Sequence, residues 1–305
     1  MSLAEILTGF RNDDGDLPDS SLVELSELDS EEMALLAQSW DNIAPERRSI
    51  IISRLVELAD SNVTLNFHAV FKHCLGDTYT EVRKEAVRGL WECEKTSLIE
   101  SLIGLLEEDP SEAVQAEAAR ALGRFVLLVE NGTITSEYAS RIAHTLLNIT
   151  DDSTRPMDVR RQALEAVAPL SLPEVRTAIG DNYLSRDDRL RISSVRAMGR
   201  SCDPSWLPVL LRELGSADAE MRREVAEALG GIEGKDTVPQ LAELIYDDDV
   251  DVKLATIRSL GNIGDAEASE CLKQCLDDPN EAVSQTAEEA LQELVNREDM
   301  SSFLI

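Results

Sequence analysis

The sequence is poor in aromatic and in basic residues, and each shortage excludes a class of protein. Aromatic side chains make up only 4% of the 305 residues. Alanine and leucine abound instead, a composition typical of thin helices packed through small side chains. Acidic residues number 59 and basic residues 29, which gives a formal net charge of −30. Because that charge repels phosphate, we expect neither nucleic acid nor an anionic membrane surface as a partner.

Cysteine and long apolar runs are also scarce. The five cysteines form an odd, scattered set at helical core positions, which fits a reducing compartment better than a disulfide framework. No run of about 18 apolar residues occurs, so no membrane-spanning helix is expected. The first residues lack the basic start and long apolar core of a secretory signal. We therefore expect a cytoplasmic protein.

A repeated unit organises the chain, and it is clearest at residues 216–264. Met221 and Arg222 align with Val252 and Lys253 at a spacing of 31 residues. Further copies keep the same frame in both directions. The frame residues are Val82, Val114, Val159, Leu190, Met221, Val252 and Val283. A period of this length is the signature of a stacked array of helix pairs.

Each copy carries an apolar stripe at helical spacing and a small residue seven positions after the frame, such as Ala228. A small residue there lets neighbouring helices approach to about 8–10 Å. No segment alternates with period two, so no strands are expected. A degenerate first pair precedes the array, and Ser30 is expected to cap its first helix. Between Val114 and Val159 the repeat is longer, and we expect loops to absorb the extra residues.

The pattern resembles HEAT repeats over about residues 30–295, most closely the short bacterial type also found in phycobilisome-lyase-like proteins. An aspartate five residues before the frame and a base just after it carry the resemblance. These residues are Asp77, Asp109, Asp247 and Asp278, with Arg83, Arg160, Arg191, Arg222 and Lys253. The resemblance implies that they form a ladder between neighbouring repeats. The ladder is expected to break where other residues take these places, at Gln115, Thr154, Ser185, Ser216 and Ser284.

The predicted fold is all-α, a right-handed α-solenoid of about eight HEAT-like helix pairs. We expect an acidic N-terminal segment at residues 1–29 that is either partly disordered or caps the first repeat. The array follows at 30–295, with the longer repeat and its insertions at about 127–158. A C-terminal tail at 296–305 ends in apolar residues, which either cover the last repeat or bind a partner.

No catalytic or metal-binding motif stands out. The deoxyhypusine hydroxylases, a HEAT-like family, bind iron through His-Glu pairs, but no histidine here precedes a glutamate. Cys271 and Cys275 lie one helical turn apart, and without a second Cys/His pair nearby a core role is favoured. Phosphate-binding loops, nucleophile elbows and dinucleotide motifs do not occur. We therefore predict no enzymatic activity, no metal and no cofactor.

Arginines collect on one stripe of this acidic chain, six and ten positions after the frame. This stripe is expected to lie on the exposed, concave face of the second helices. Its members are Arg88, Arg120, Arg124, Arg196, Arg200 and Arg258. One interpretation is a solvated helix face, since Glu85 and Glu117 sit three residues before two of them. The other is a mildly basic groove whose guanidinium forks bind an acidic or extended segment of another protein.

The predicted function is a non-enzymatic scaffold or adaptor that binds a partner protein along this concave face. The resemblance alone implies an alternative, an accessory subunit of a chromophore or cofactor lyase of the phycobilisome-lyase type. A fold of this kind mainly supplies a surface, so the repeat pattern by itself does not choose between them.

Overall fold

The computed structural model describes residues 2–11, 17–232 and 237–302. Within these ranges every regular element is a helix, which confirms the predicted all-α class. None of the helices in the described parts is both long and apolar enough to cross a membrane. The chain divides into two compact units, residues 1–166 and 167–305, which are described separately below.

The first unit begins with two short helices and continues with pairs of antiparallel helices. The short helices are α1 (Leu3–Phe10) and α2 (Asp19–Leu22). The pairs are α3 (Ser30–Trp40) with α4 (Pro45–Ser61), α5 (His68–Cys74) with α6 (Thr80–Gly89), α7 (Ser97–Glu108) with α8 (Glu112–Glu130), and α9 (Ser136–Asp151) with α10 (Met157–Val167). The second helices α4, α6 and α8 pack side by side, as stacked repeats require.

The second unit repeats the same arrangement. Its pairs are α11 (Pro173–Tyr183) with α12 (Asp188–Arg200), α13 (Leu207–Glu213) with α14 (Ala219–Gly231), α15 (Val238–Glu243) with α16 (Val250–Ile263), and α17 (Ala266–Gln274) with α18 (Glu281–Ser302). Short 3₁₀ turns at Pro204–Trp206, Leu244–Tyr246 and Cys275–Asp277 begin or end the first helices. The second helices α12, α14, α16 and α18 again pack in succession.

Small residues set how closely the second helices approach each other. A Cβ atom added to Gly199 of α12 would lie 2.5 Å from the Cα atom of Ala228 on α14. Gly230 of α14 faces Ser259 of α16 in the same way, and a Cβ atom added to Gly230 would lie 2.7 Å from the Cβ atom of Ser259. The predicted small position of the repeat is therefore the helix–helix contact. Because the contact is backbone against backbone, little tolerance for larger side chains remains.

The predicted ladder between neighbouring repeats is present. Arg83 donates two hydrogen bonds of 2.7 and 2.8 Å to the carboxylate of Asp109. Arg222 makes the same bidentate contact with Asp247, at 2.7 and 2.8 Å. Lys253 donates to Asp278 at 2.8 Å. Each pair links the second helix of one repeat to the helix–helix turn of the next, where it is largely buried.

The ladder breaks at the predicted interruptions. Arg160 donates from Nε to the backbone carbonyl of Thr150, within its own repeat, at 2.9 Å. Gln115 donates to the carbonyl of Asp109 in its own turn, at 2.6 Å. Arg191 contacts Asp188, one turn back on its own helix, at 3.2 Å, and also lies 3.7 Å from Glu213 of the next repeat. Because Ser216 stands where an aspartate would be, a glutamate elsewhere in the next repeat takes the place of the ladder carboxylate.

One local prediction is wrong. Asp29, and not Ser30, caps α3, since its carboxylate accepts hydrogen bonds from the N–H groups of Glu31 and Glu32. Helix α5 begins at His68, whose N–H donates a hydrogen bond to the side chain of Asn66. Helix α8 continues to Glu130, and α9 begins at Ser136.

The N-terminal helix contributes to the first unit. Ile6, Leu7 and Phe10 of α1 are each at most 3% exposed, and α1 packs against α3. The Ser2 side chain and Glu5 form a capping box at its start. The division into a leader at 1–29, an array and a tail stays a prediction, and the apolar end at 303–305 lies outside the described residues.

Candidate functional site

Three of the six predicted arginines lie in the first unit, around a single tryptophan. Arg88 is near the end of α6, and Arg120 and Arg124 lie one turn apart on α8. Arg88 and Arg120 are 47% and 45% exposed, and Arg124 is 27% exposed. Together with Trp91 they form what we refer to as the Trp91 surface. Arg88 and Trp91 also line one small depression beside Phe67 and Phe71.

Trp91 is the centre of this surface, and sequence analysis missed it. It lies in the turn after α6 and is 43% exposed. The guanidinium carbons of Arg120 and Arg124 lie 5.6 and 5.9 Å from the centre of its ring. Both distances fall within the range of cation–π attraction. A usable signal was present, since Trp91 is one of three tryptophans and directly follows the buried stripe residue Leu90.

Each arginine of the Trp91 surface also contacts a glutamate. The pairs are Arg88–Glu85 at 3.1 Å, Arg120–Glu117, and Arg124–Glu94 at 2.8 Å. The two pairs expected for a solvated helix face are therefore present. The Nε–H of Arg124 is buried and has no hydrogen-bond partner among the described residues. The surface is thus a mixed-charge one, in which Glu85 and Glu117 are largely buried, whereas the Arg124–Glu94 pair is solvent-accessible and worth little, about 0.2–1 kcal/mol.

In the second unit, Arg196 is occupied by a buried carboxylate of the next repeat. Its Nε–H donates to Glu224 at 2.8 Å, and its Nη2 lies 2.5 Å from the other oxygen of the same carboxylate. The Glu224 side chain is fully buried, whereas that of Arg196 is 29% exposed. Arg223 contacts Glu224 as well. Arg196 therefore joins α12 to α14 and neutralises a carboxylate that would otherwise be buried alone.

The neighbouring carboxyl group of Glu227 has a raised pKa. Burial raises the pKa of Glu227, the charge of Glu224 raises it further, and the charges of Arg223, Arg196 and Arg258 act against both. Arg223 is its nearest cation, at 3.6 Å. Arg258, on α16, is exposed and makes no hydrogen bond or ion pair within the described ranges. Arg200 is exposed at the end of α12.

The six arginines thus fall into two groups, one in each unit, and we treat them as two separate surfaces. In the first unit they gather around an exposed tryptophan. In the second unit Arg196 is bound to Glu224, while Arg200 and Arg258 remain exposed. Sequence spacing could not reveal the Arg196 contact, because its partner lies 28 residues away on the next repeat.

The second unit also contains an open cavity of about 560 Å³ at the start of α11. Leu170, Val175 and Ile179 line it and are each at most 5% exposed. Trp206 and Arg176 form one side, with the guanidinium carbon 5.6 Å from the centre of the ring. Sequence analysis did not anticipate this cavity, since its walls come from two repeats and the turn between them.

The described residues contain no group of three or more His, Cys, Asp or Glu arranged to hold a metal ion. The Cys275 thiol lies 3.5 Å from the carbonyl of Cys271 on the same buried helical turn. Burial is the main cause that raises the pKa of Cys275 to about 11, and it raises the pKa of Cys271 as well. Burial, followed by the charges of Lys72 and Lys95, lowers the pKa of His68.

Comparisons with known proteins identify the repeat. A family model described as HEAT repeats matches residues 69–140, 182–251 and 207–292, together more than half of the chain. HEAT-repeat folds are typical of protein-interaction scaffolds. A search of curated proteins gives no match.

Several solved structures share the fold at low sequence identity. The complex of CpcE and CpcF of phycocyanin lyase from Nostoc sp. PCC7120 is 15% identical, with a TM-score of 0.55, covering 93% of this chain and 97% of that one. The Kap95p structure with RanGDP is 15% identical, with a TM-score of 0.50, covering 96% and 40%. Human deoxyhypusine hydroxylase is 16% identical, and the match covers 96% of each chain, but the structural similarity is weak, with a TM-score of 0.36. Identities this low indicate the fold alone.

Proposed function

This chain belongs to the HEAT-repeat family, and from that premise we propose that it is a non-enzymatic scaffold or adaptor that binds a partner protein. The contact site in the first unit is the Trp91 surface, formed by Arg88, Trp91, Arg120 and Arg124. The partner offers an acidic or extended segment. Nucleic acid and anionic membranes are disfavoured as partners, because the net charge of −30 repels them.

The observation that carries this proposal is the exposed indole ring of Trp91 with two guanidinium groups beside it. Tryptophan and arginine are the side chains most enriched where interfaces concentrate their binding energy. Exposure of 43% is substantial for tryptophan in a chain whose other large side chains are mostly buried. The Trp91 ring therefore leaves apolar area that a partner can cover.

The arginines explain the preference for an acidic segment. Arg120 and Arg124 are held over Trp91, so their forks are oriented before a partner arrives. A partner carboxylate can replace Glu94, whose side chain is 51% exposed, and gain a bidentate contact with Arg124 in return. This exchange costs little, because the existing exposed pair is weak.

Affinity capture from the source cells tests the proposal. The purified chain is used as bait, in wild-type form and as Trp91→Ala, and retained proteins are quantified by mass spectrometry. Leu127→Ala is the matched control, since Leu127 is also apolar and also 43% exposed. A specific partner should be lost with Trp91→Ala, by about tenfold or more, and retained with Leu127→Ala. Equal retention by both variants contradicts the proposed site.

A second proposal concerns the compartment. Four of the five cysteines are buried and all five are free thiols, which fits a reducing cytoplasm. Oxidation would require Cys74, which packs fully buried in α5, to leave the core. Imaging of the tagged protein in its source cells tests this location, and an extracytoplasmic signal would contradict it.

The alternative function, an accessory subunit of a chromophore or cofactor lyase, remains a hypothesis. Its support is the similarity in fold to the phycocyanin lyase complex. A lyase subunit should purify from its source with visible absorbance or with a second HEAT-like chain. A colourless protein that captures an unrelated partner through Trp91 would favour the scaffold instead.

A further inference from the structure

Helix α18 has an apolar side that no other helix covers within the described residues. Leu276 and Val295 are 41% and 51% exposed there, and with Leu291 they line a shallow groove of about 230 Å³. Glu288 and Gln292 complete the lining. We refer to these five residues as the α18 groove. Its apolar side chains remain partly in contact with solvent, which costs free energy that a partner can recover.

The preceding repeat shows what kind of element packs on this side of a second helix. Leu260 of α16 is the equivalent of Leu291, 31 residues earlier. Leu260 is fully buried, and α18 packs along α16. The element that covers this face inside the array is therefore a helix with an apolar stripe. The α18 groove presents the same face, so a helix is the shape that fits it.

A helix cannot approach α18 as closely as the second helices approach each other. The position nine residues after the frame is Gln292 in α18, whereas α8, α12, α14 and α16 carry glycine there, at Gly123, Gly199, Gly230 and Gly261. A Cβ atom added at these glycines would lie only 2.5–3.2 Å from the nearest atom of the next second helix. Because Gln292 has a full side chain, a helix on α18 must lie further out. It therefore needs leucine-sized side chains, and not alanines, to fill the groove.

The surroundings of the α18 groove are acidic, and the nearby bases are already engaged. Residues 265–297 contain nine acidic and two basic residues. Lys273 contacts Glu270 at 3.4 Å. Arg297 donates to a backbone carbonyl of α16 at 2.9 Å. Glu288, in the lining of the groove, is exposed and makes no hydrogen bond or ion pair within the described ranges.

Two more carboxylates extend this negative charge. Glu281 lies two helical turns before Glu288 on the same stripe of α18, and Asp277 directly follows Leu276. Both are exposed, and neither side chain has a hydrogen bond or ion pair among the described residues. The charge beside the groove is thus not offset within the chain. It favours lysine or arginine on a partner, and it repels a second copy of this chain.

We propose that the α18 groove binds an amphipathic helix of a partner protein. Leucine-sized side chains of that helix pack on Leu276, Leu291 and Val295, and its flanking lysines or arginines lie against Glu281 and Glu288. An apolar helix face in a groove is a common mode of peptide recognition. This inference goes beyond the proposed function, because it concerns other residues and does not depend on the Trp91 surface.

A model peptide tests the groove directly. The probe is a blocked, fluorescein-labelled helix of about 18 residues made of leucine, alanine and lysine, with leucines recurring at positions i, i+3, i+4 and i+7. One control peptide replaces each lysine with glutamate. The other keeps the composition but distributes the leucines around the helix, which controls for attraction to the net charge alone. Fluorescence anisotropy with the full chain, at about 0.15 M salt, should give at least about tenfold weaker binding for each control, and equal binding of the two lysine peptides would overturn the proposal.

Variants of the chain locate the binding. Glu288→Lys and Leu276→Ser should each weaken binding of the probe by about tenfold, or about 1.4 kcal/mol. The matched controls are Glu220→Lys, an exposed position on α14 with the same change in net charge, and Leu211→Ser, which is 36% exposed on α13. These controls should change the affinity by less than about twofold, and equal effects in test and control variants would contradict the assignment. Unfolding midpoints show that each variant is folded.

Photo-crosslinking of the probe to the wild-type chain gives an answer that needs no variant. A benzophenone group on the peptide should label residues 273–297, as mapped by mass spectrometry. Labelling confined to other parts of the chain would overturn the proposal.

The same measurements exclude two other occupants of the groove. Deletion of residues 303–305 should change the affinity for the probe by less than about twofold. A gain of about tenfold would assign the groove to those residues and overturn the proposal. Leu276→Ser should leave the sedimentation coefficient unchanged, and a dimer that this variant dissociates would assign the face to a second copy instead. Because Trp91→Ala does not alter α18, affinity capture with that variant and the peptide assay can fail independently.

Discussion

Adding one methyl group at Gly199 should push two helices apart. In the structure its Cβ would lie 2.5 Å from the Cα atom and 2.7 Å from the Cβ atom of Ala228. Carbon atoms pack best at about 3.5–4.0 Å, so α12 and α14 must separate by roughly 1 Å. Overpacking of this kind costs about 1–3 kcal/mol. Alanine returns up to about 1 kcal/mol through its higher helix propensity. We expect Gly199→Ala to lower the free energy of unfolding by about 1–2 kcal/mol.

Gly180→Ala is the matched control in the same unit. Gly180 lies inside α11, and its added Cβ would make an ordinary contact of 3.7 Å with Trp206. Without a clash only the propensity acts, so this variant should gain about 0.5–1 kcal/mol. Urea unfolding followed by helical circular dichroism measures both variants. If Gly199→Ala stabilises the chain as much as Gly180→Ala, the packing contact between α12 and α14 is not as close as described.

Three further predictions concern charges and thiols. Arg222→Gln should lower the free energy of unfolding by about 1–3 kcal/mol. Arg189→Gln, which loses a solvent-accessible contact with Asp187, should change it by less than about 0.5 kcal/mol, and urea unfolding at pH 7 compares the two variants. Because the Arg222 hydrogen bond lowers the pKa of Asp247, that difference should be present above the ordinary aspartate pKa of about 3.9 and shrink as the pH falls through the lower folded value. Since burial raises the pKa of Glu227, Glu227→Gln should raise the melting temperature more at pH 7 than at pH 4, and the reverse order would contradict the assigned cause. Iodoacetamide should modify the native chain once, at Cys202, and all five cysteines only after unfolding; early modification of Cys74, whose pKa burial raises, would show that α5 opens.

The fold could be predicted because its determinants are periodic. Arg83 directly follows the frame residue of one repeat and Asp109 precedes that of the next by five residues, and the resemblance to HEAT repeats correctly implied that they pair. The contacts of the first pair of helices could not be predicted in this way. Arg48 lies outside the frame, yet it binds Asp77 at 2.9 Å, beside the Trp40 indole N–H that donates to the same carboxylate at 2.8 Å. In this first pair of helices, which departs from the frame, Arg48 and Trp40 therefore take the place of the ladder base.

The candidate site was only partly predictable, because its contacts cross between repeats. Spacing placed Arg120 and Arg124 on one face correctly, but it gave no reason to choose Trp91 as the ring they cover. Arg196 was predicted as a groove residue, yet a buried glutamate 28 residues away engages it. Contacts between repeats depend on which side chains are neighbours in three dimensions. The repeat frame predicts those neighbours only to within about one helical turn.

Partner retention by the charge-reversed Trp91 surface tests the central claim most directly. The bait carries Arg120→Glu together with Arg124→Glu and is compared with Arg141→Glu, which reverses an arginine of the same unit that is 48% exposed. Captured protein is quantified at low and at high salt. We expect the double variant to lose its partner at both salt concentrations, and the wild type and Arg141→Glu to retain it at low salt. A partner held equally by all three baits would contradict the claim that this surface binds it.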